Sequence, residues 1–240
     1  MNAVLSYDKG AEPDTLRRAR SQPDASYNGL YQEQKDGIRQ ALVRDQAALC
    51  AYCQRRIAAE SEDPARPLPP MKIEHWSPQH PQDDSRRGDD LAWHNLLGVC
   101  YGGAPHAMGP SDDTSALHCD TRRGNHALFL HPVRGRGADP EGFLRYTSNG
   151  EVKAADPRAE RDVSEVLNLN AAKLKRSRSA VYEEVRQKME RKQFAATAMR
   201  ELYRKHDLVP GSRAPEHSHF VRYHLRRWAQ RNGVALEPPR

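Results

Sequence analysis

The sequence predicts an α+β fold with a mainly helical C-terminal region. Three observations lead to this prediction: helical apolar spacing in residues 30–49, a hairpin signal in residues 143–153, and helical spacing again through residues 161–240. The 240 residues, 37% of them apolar, are enough for one core with helical additions. No apolar run approaches the ~20 residues that a membrane helix needs, so we expect no membrane association.

Residues 1–48 are predicted to form an arm followed by one helix. Pro13, Pro23 and a low apolar content indicate an extended arm with one short helical turn. The helical spacing in residues 30–49 then predicts a helix that runs into the first cysteine. The first residues lack the basic-then-apolar order of a secretory signal, so we expect a cytoplasmic protein.

Residues 49–135 form the central region. Clusters of Pro, Gly, Ser and Asp predict loops at 61–70, 77–90 and 101–117. A short apolar pattern at 126–132 is typical of a strand. The central region is therefore expected to hold short elements joined by long loops.

Residues 136–160 are predicted to form a β-hairpin, because Asn149-Gly150 stands between two short apolar segments. Residues 161–240 are predicted to be helical. One helix in this region is expected to continue to Pro210-Gly211, and a final helix to cover 216–231.

Basic charge is concentrated in residues 171–240, which hold 17 Lys+Arg and 7 Asp+Glu, a net charge of +10. The other 170 residues carry a net charge of −4. This asymmetry indicates either an anionic partner or a solvated helix surface. Two clusters of basic residues are expected to be exposed on these helices: Lys173, Lys175, Arg176 and Arg178, and Arg222, Arg226 and Arg227.

Four cysteines, Cys50, Cys53, Cys100 and Cys119, indicate a structural zinc site. The C-A-Y-C spacing of the first pair lets two thiolates reach one ion from a tight turn. The second pair is unusual, because 18 residues separate its members. Four free buried thiols or a redox pair remain alternatives, although nothing nearby resembles a βαβ unit.

A zinc ion with four thiolates is closed to substrate, so any chemistry must come from neighbouring residues. Seven of the eleven histidines lie within residues 75–131. Glu74-His75 follows the first cysteine pair, Asn95 precedes the third cysteine by five residues, and Asp120 directly follows the fourth. Acidic, histidine and amide side chains are thus interleaved with the cysteines.

These motifs resemble the HNH endonuclease family in its four-cysteine form. The matching blocks agree in order and spacing: CAYC at 50–53, IEHWSPQ at 73–79, WHNLLGVC at 93–100 and HCDTRRG at 118–124. IEHW, HCD, the hairpin sequence FLRYTSNGEV and the run LNLNAAKLKRSR at 167–178 further resemble the HNH subunit of Septu anti-phage systems, including retron-associated ones. The resemblance extends from about Leu30 to Lys205.

The resemblance implies a ββα-metal core. A first strand would carry Glu74-His75, a second strand or loop Asn95, and a helix the last metal ligand, all tied together by zinc. The implied activity is metal-dependent hydrolysis of phosphodiester bonds, with DNA as the favoured substrate and RNA left open. The implied partner is an ATPase subunit of the SMC/ABC type, and the chain itself has no G-x-x-x-x-G-K-[ST] motif.

The resemblance also implies catalytic roles. His75 is expected to be the general base, because its ordinary pKa near 6.5 suits proton transfer. Asp120 and Glu74 are expected to bind Mg²⁺ or another divalent ion. Neighbours on a strand point to opposite faces, so a bend after Trp76 is needed to bring Glu74 and His75 to one site. Asn95 is expected to hold the loop around His75 through backbone hydrogen bonds.

Two further residues are predicted to bind substrate. Arg123 stands where the family has a Lys or Arg and is expected to contact the scissile phosphate. His118 is left open as a further ligand, a phosphate contact or a support for its neighbours. The alternative for the whole chain is a non-catalytic zinc module, which would need the cysteines and basic helices but not the acidic, His and Asn residues between them.

Overall fold

A computed structural model describes residues 6–61, 70–82, 89–103 and 114–236. These residues form helices and two small antiparallel sheets joined by turns and irregular segments, in agreement with the predicted α+β class. Much of the three predicted loops lies outside the described residues. None of the helices in the described ranges is both long and apolar enough to cross a membrane.

The N-terminal arm belongs to the central core. Helix α1, Asp14–Arg20, and helix α2, Gln32–Asp45, pack against each other. Ahead of them, Tyr7 forms a bridge with Val133 and donates its hydroxyl to Gln46 Oε1 at 3.2 Å. Among the described residues of the arm, the predicted short helical turn corresponds to α1, and a 3₁₀ turn, Tyr27–Gly29, follows it before α2.

A small sheet and a short helix form the centre of the molecule. Strand β1, Lys72–His75, pairs antiparallel with strand β2, Leu96–Val99, with His75 opposite Leu96. A 3₁₀ turn, Trp93–Asn95, leads directly into β2. All four β2 residues are buried, which explains its continuous apolar sequence. Helix α3, Cys119–Arg123, completes the group.

The strand predicted at 126–132 is wrong. The segment makes only isolated bridges, such as that between Leu130 and Ala138. The reason is a buried carboxylate: Asp162 Oδ2 accepts the backbone N–H groups of Phe129 and Leu130, each at 2.8 Å. These donors are therefore not available to a strand ladder.

The predicted hairpin is confirmed. Strand β3, Leu144–Tyr146, pairs with strand β4, Val152–Ala154. Gly150 in the turn has a φ of +81°, and a Cβ atom there would lie 2.2 Å from the Lys175 carbonyl oxygen. Only glycine allows the hairpin to approach the following helix so closely. The short helices that flank the hairpin are α4, Pro140–Phe143, and α5, Pro157–Arg161, which continues as a π-helix over Asp162–Val166.

The C-terminal region consists of three helices around a second core. The helix predicted to reach Pro210 is interrupted: α6, Ala172–Arg191, and α7, Ala196–Lys205, are separated at Gln193 and Phe194, whose φ values are 48° and 51°. Helix α8, Ser218–Arg231, packs on both. The second core comprises Val185, Met189, Met199, Leu202, Tyr203, Phe220, Val221, Leu225, Trp228 and Ala229.

The expected exposed basic face is only partly present. Arg178 and Arg222 are buried, so the prediction is wrong for both. Arg222 stacks on Tyr203, with the guanidinium 3.8 Å from the ring centroid, and Arg226 pairs with Glu141. Helix α8 is covered on two sides, and its arginine stems become part of the packing. The members of the two clusters that are exposed are Lys173, Arg176 and Arg227.

Candidate zinc centre and active site

The sulfur atoms of the four cysteines converge at one point. Cys50 Sγ lies 4.0 Å from Cys119 Sγ, Cys53 Sγ lies 3.6 Å from Cys100 Sγ, and all four lie within 4.8 Å of one another. A tetrahedral ion with Zn–S bonds of about 2.3 Å requires sulfurs about 3.8 Å apart, whereas a disulfide requires about 2.05 Å. The cluster therefore has the donor atoms and dimensions of a four-thiolate zinc site.

Local backbone geometry places these sulfurs. The first pair lies in a turn closed by hydrogen bonds from Cys50 N to Arg55 O, at 2.8 Å, and from Gln54 N to Cys50 O, at 3.0 Å. Gln54 completes the turn in the left-handed region, with a φ of 62°. Cys100 directly follows β2 and Cys119 begins α3. The sheet and the helix are therefore joined at the cysteine cluster.

His118 lies beside the cysteine cluster. Its Nδ1 is 3.2 Å from Cys119 Sγ, and its side chain is buried. A histidine that donates a hydrogen bond to a thiolate orients that ligand and lowers its charge density. Of the three roles left open by the sequence, this position fits support of a metal ligand. Within the described ranges, its Nε2 has no hydrogen-bond partner.

The carboxyl groups of Glu74 and Asp120 interact with each other. Burial, followed by the nearby charge of Asp120, raises the pKa of Glu74 to about 8, and Arg123 partly opposes this shift. Lys72 Nζ lies 2.6 Å from Asp120 Oδ2. Within the described part of the chain, only the four cysteines form a group of three or more ligand side chains close to one another. Glu74 and Asp120 are therefore a pair with no third ligand side chain among the described residues. Such a pair favours binding of a cation.

Arg123 is a positioning residue in this structure. Its side chain is fully buried and forms an ion pair with Glu74. It also donates to three backbone carbonyls: His75 O at 2.8 Å, Trp76 O at 2.5 Å and His126 O at 2.8 Å. This burial does not support the predicted contact with a phosphate. The guanidinium instead fixes the end of β1 and one oxygen of Glu74.

The His75 ring contacts the backbone of Asp90 and the ring of Tyr27. Its Nε2 lies 2.9 Å from the carbonyl oxygen of Asp90, and its ring packs edge-on against Tyr27 at a centroid distance of 4.7 Å. A carbonyl only accepts hydrogen bonds, so Nε2 carries the hydrogen and Nδ1 is the basic nitrogen of the neutral ring. Burial lowers the pKa of His75, which keeps the ring neutral at pH 7.

Asn95 connects the segment that follows β1 with the segment that precedes β2. Its Oδ1 accepts from Ser77 N at 2.7 Å, and its Nδ2 donates to Ser77 O at 3.2 Å and to Asp89 O at 2.9 Å. Asp89 directly precedes the residue whose carbonyl accepts from His75. Asn95 thus holds both the end of β1 and the backbone that orients the His75 ring.

The predicted residues fall into three groups. His118 lies with the cysteines, and Glu74, Asp120 and Arg123 form one network. His75 and Asn95 form another on the opposite side of β1, as the alternation of strand side chains requires. No described hydrogen bond joins the His75 ring to the carboxylate pair, but the charge of Asp120 acts on His75 and raises its pKa, against the larger effect of burial.

Sequence reasoning missed two members of the carboxylate network, Lys72 and Tyr52. The Tyr52 hydroxyl donates to Glu74 Oε1 at 3.4 Å and accepts from Arg123 Nη1 at 3.2 Å. Tyr52 lies inside the C-A-Y-C motif, where its spacing gives no signal of this contact. The sequence did contain a signal for Lys72: residues two apart on a strand lie on the same face, so Lys72 was expected beside Glu74.

Comparisons with protein-family models, with curated proteins and with solved structures each found no match. The class of the protein must therefore be argued from its fold and from the geometry of this site.

Proposed function

We propose that the chain is a metal-dependent endonuclease of the HNH type that hydrolyses phosphodiester bonds in nucleic acid. One observation carries this proposal: the carboxylates of Glu74, on β1, and Asp120, on α3, lie together, because β1 pairs with β2 and the cysteine cluster joins β2 to α3. His75, the candidate base, is the next residue on β1. The ββα order, the cysteine cluster and the acidic pair support the proposal together.

The carboxylate pair fits a divalent ion. Mg²⁺ prefers hard oxygen ligands and is commonly bound by one or two carboxylates, with waters and a substrate phosphate completing its shell. Glu74 and Asp120 would hold the ion, with Arg123 fixing the orientation of Glu74. When bound, the ion supplies positive charge at the phosphate and at the leaving oxygen.

His75 would take the proton of the attacking water at Nδ1. Its hydrogen bond to the Asp90 carbonyl selects the tautomer in which Nδ1 is free to accept that proton. Asn95 positions this arrangement through Ser77 and Asp89. Because Glu74 and His75 are neighbours on β1 and point to opposite faces of the strand, we propose that the scissile phosphate binds at the end of β1, beside both residues.

For the substrate and partner, we propose DNA before RNA, and an ATPase subunit of the SMC/ABC type as in Septu systems. The basic surplus of residues 171–240 supports an anionic partner. Lys173 and Arg176, at the start of α6, are exposed and suit phosphate contacts, whereas Arg227 is the exposed basic residue of the α8 cluster. The ATPase would therefore meet a smaller basic patch on α8 than the sequence indicates.

Nicking of supercoiled plasmid DNA by the purified chain tests the proposal. We expect cleavage with Mg²⁺, loss of cleavage with a chelator, and loss of cleavage in His75→Ala and Asp120→Ala. The matched control is His80→Ala, because His80 is exposed and lies five residues from His75. Zinc content should be equal in all variants. Equal cleavage by wild type and His75→Ala would remove His75 as the base.

A second candidate is a zinc module that binds without cleaving. The observation that favours it is that Arg123 and Lys72 already neutralise Glu74 and Asp120 without a metal ion. This candidate predicts that the chain binds nucleic acid or a partner protein with its full affinity after His75→Ala, and that the wild type nicks no plasmid at any Mg²⁺ concentration.

A further inference from the structure

We propose that Lys72 is a phosphate-binding residue of this site. Its ammonium group would pair with the Asp120 carboxylate until a divalent ion binds that carboxylate. The inference rests on the proposed nuclease function and extends it by one substrate-contacting residue. Its starting point is the ion pair between Lys72 Nζ and Asp120 Oδ2, at 2.6 Å.

The two cations that pair with the carboxylates, Arg123 and Lys72, differ in the solvent exposure of their side chains. The Arg123 side chain is 0% exposed, and its guanidinium is engaged by Glu74 and by backbone carbonyls. The Lys72 side chain is 37% exposed, and that of Asp120 is 16% exposed. Of these two cations, Lys72 is therefore the one that a phosphate arriving from solvent can reach.

Side-chain chemistry favours the same assignment. Lysine has a flexible four-carbon stem with three rotatable donors, whereas the arginine fork is held rigidly by its partners. The side chain of Lys72 also lies near an aromatic surface, with Nζ 5.6 Å from the centroid of the Tyr101 ring. The ammonium group can thus move away from Asp120 and remain close to the site, beside the Tyr101 ring.

Charge balance gives the exchange a direction. Arg123 and Lys72 place two positive charges beside Glu74 and Asp120, so the network carries no net negative charge before a divalent ion binds. A divalent ion added to it leaves a surplus of two positive charges, which attracts a phosphodiester and stabilises the further negative charge of its transition state. Lys72 then donates to a non-bridging phosphate oxygen, with no bond made or broken by the lysine itself.

This proposal predicts two effects of opposite sign for Lys72→Met. Binding of Mn²⁺ to the zinc-loaded protein without nucleic acid, measured by electron paramagnetic resonance, should become about tenfold tighter, because a competing charge is removed. Plasmid cleavage at saturating metal should fall about tenfold or more, because a phosphate contact is lost. Lys72→Arg, which keeps the charge, should retain most of the cleavage.

The matched control is Lys153→Met, since Lys153 is an exposed lysine on β4 that pairs with Glu151. It should change neither measurement. Asp120→Asn should abolish Mn²⁺ binding, which identifies the site being measured. If Lys72→Met does not fold, Lys72→Gln replaces it, with zinc content as the criterion.

Two results would overturn the inference while leaving the nuclease proposal standing: an unchanged Mn²⁺ affinity in Lys72→Met, or unchanged cleavage, when the wild type cleaves in the same assay. A wild-type protein that neither binds Mn²⁺ nor cleaves would instead remove the proposed function, and this inference with it.

Discussion

At the scale of single residues, the site depends on side chains that bind backbone. Asn95 reaches Ser77 and Asp89, and Arg123 reaches the carbonyls of His75 and Trp76. The segment that carries His75 is thereby fixed from both sides of the sheet. Catalytic groups that must be held to within about 0.5 Å need such support, which packing of a four-residue strand alone does not provide.

The first prediction concerns the buried ion pair of Arg123 and Glu74. Arg123→Met should destabilise the protein by about 3–5 kcal/mol, because it leaves a buried carboxylate without its partner. The double variant Arg123→Met/Glu74→Gln should recover a large part of this loss, because no charge then remains unpaired. Chemical denaturation of the two single variants and the double variant measures this coupling. Strictly additive losses would show that the pair does not interact energetically.

At the scale of elements, the cysteine cluster joins β2, α3 and the turn after α2. A second prediction follows, because metal binding that organises such short elements contributes directly to folding. Cys119→Ser, or removal of zinc by a chelator, should melt the central region, which contains Trp76 and Trp93. The second core around Trp228 should persist longer.

Tryptophan replacement separates these two regions. A Trp228→Phe protein reports the central region through its remaining tryptophans, and a Trp76→Phe/Trp93→Phe protein reports the second core. The spectroscopic signal of the central region should change on chelation well before that of the second core. Loss of both signals at the same chelator concentration would mean that the two cores unfold as one unit.

The sequence was sufficient for elements with local signals. Asn149-Gly150 specifies its hairpin through turn chemistry, and the spacing of the cysteines correctly predicted that their four sulfur atoms converge. The sequence was insufficient where a contact with a residue far away in the chain determines the local structure or the burial of a side chain. The strand expected at 126–132 is prevented by Asp162, and Arg178 is buried because it binds the carbonyls of Gly150 and Leu169.

The same distinction applies to the candidate site. The types of residue were predictable from their motifs, and the positions of Glu74, His75, Asn95 and Asp120 on the sheet and helix follow the expected order. Their division between two faces of β1, and the engagement of Arg123 within the core, depend on side-chain directions that spacing does not encode. The predicted catalytic roles themselves remain predictions.

At the scale of the whole molecule, the helical C-terminal region buries uncharged histidines. His206 lies at the end of α7, and His217 and His224 belong to the start and middle of α8. Burial is the main cause that lowers the pKa of each to about 4, and the neighbouring charges of Lys205, Arg178 and Arg227, respectively, lower it further. The basic surplus of this region thus makes protonation of its own core more costly.

The last prediction is a loss of stability in acid. An unfolded histidine takes up a proton near pH 6.5, whereas these three do so only near pH 4, so the unfolded state binds more protons between those values. Stability should therefore be full above about pH 6.5 and fall as the pH drops towards 4, by about 1–2 kcal/mol per histidine between pH 7 and 5. Guanidinium unfolding followed by Trp228 fluorescence in the Trp76→Phe/Trp93→Phe protein measures this decline.

His224→Gln should reduce the slope of stability against pH, because one titrating group is removed, whereas His80→Gln, at an exposed position, should not. A slope that His224→Gln leaves unchanged would show that protonation of His224 does not contribute to the decline.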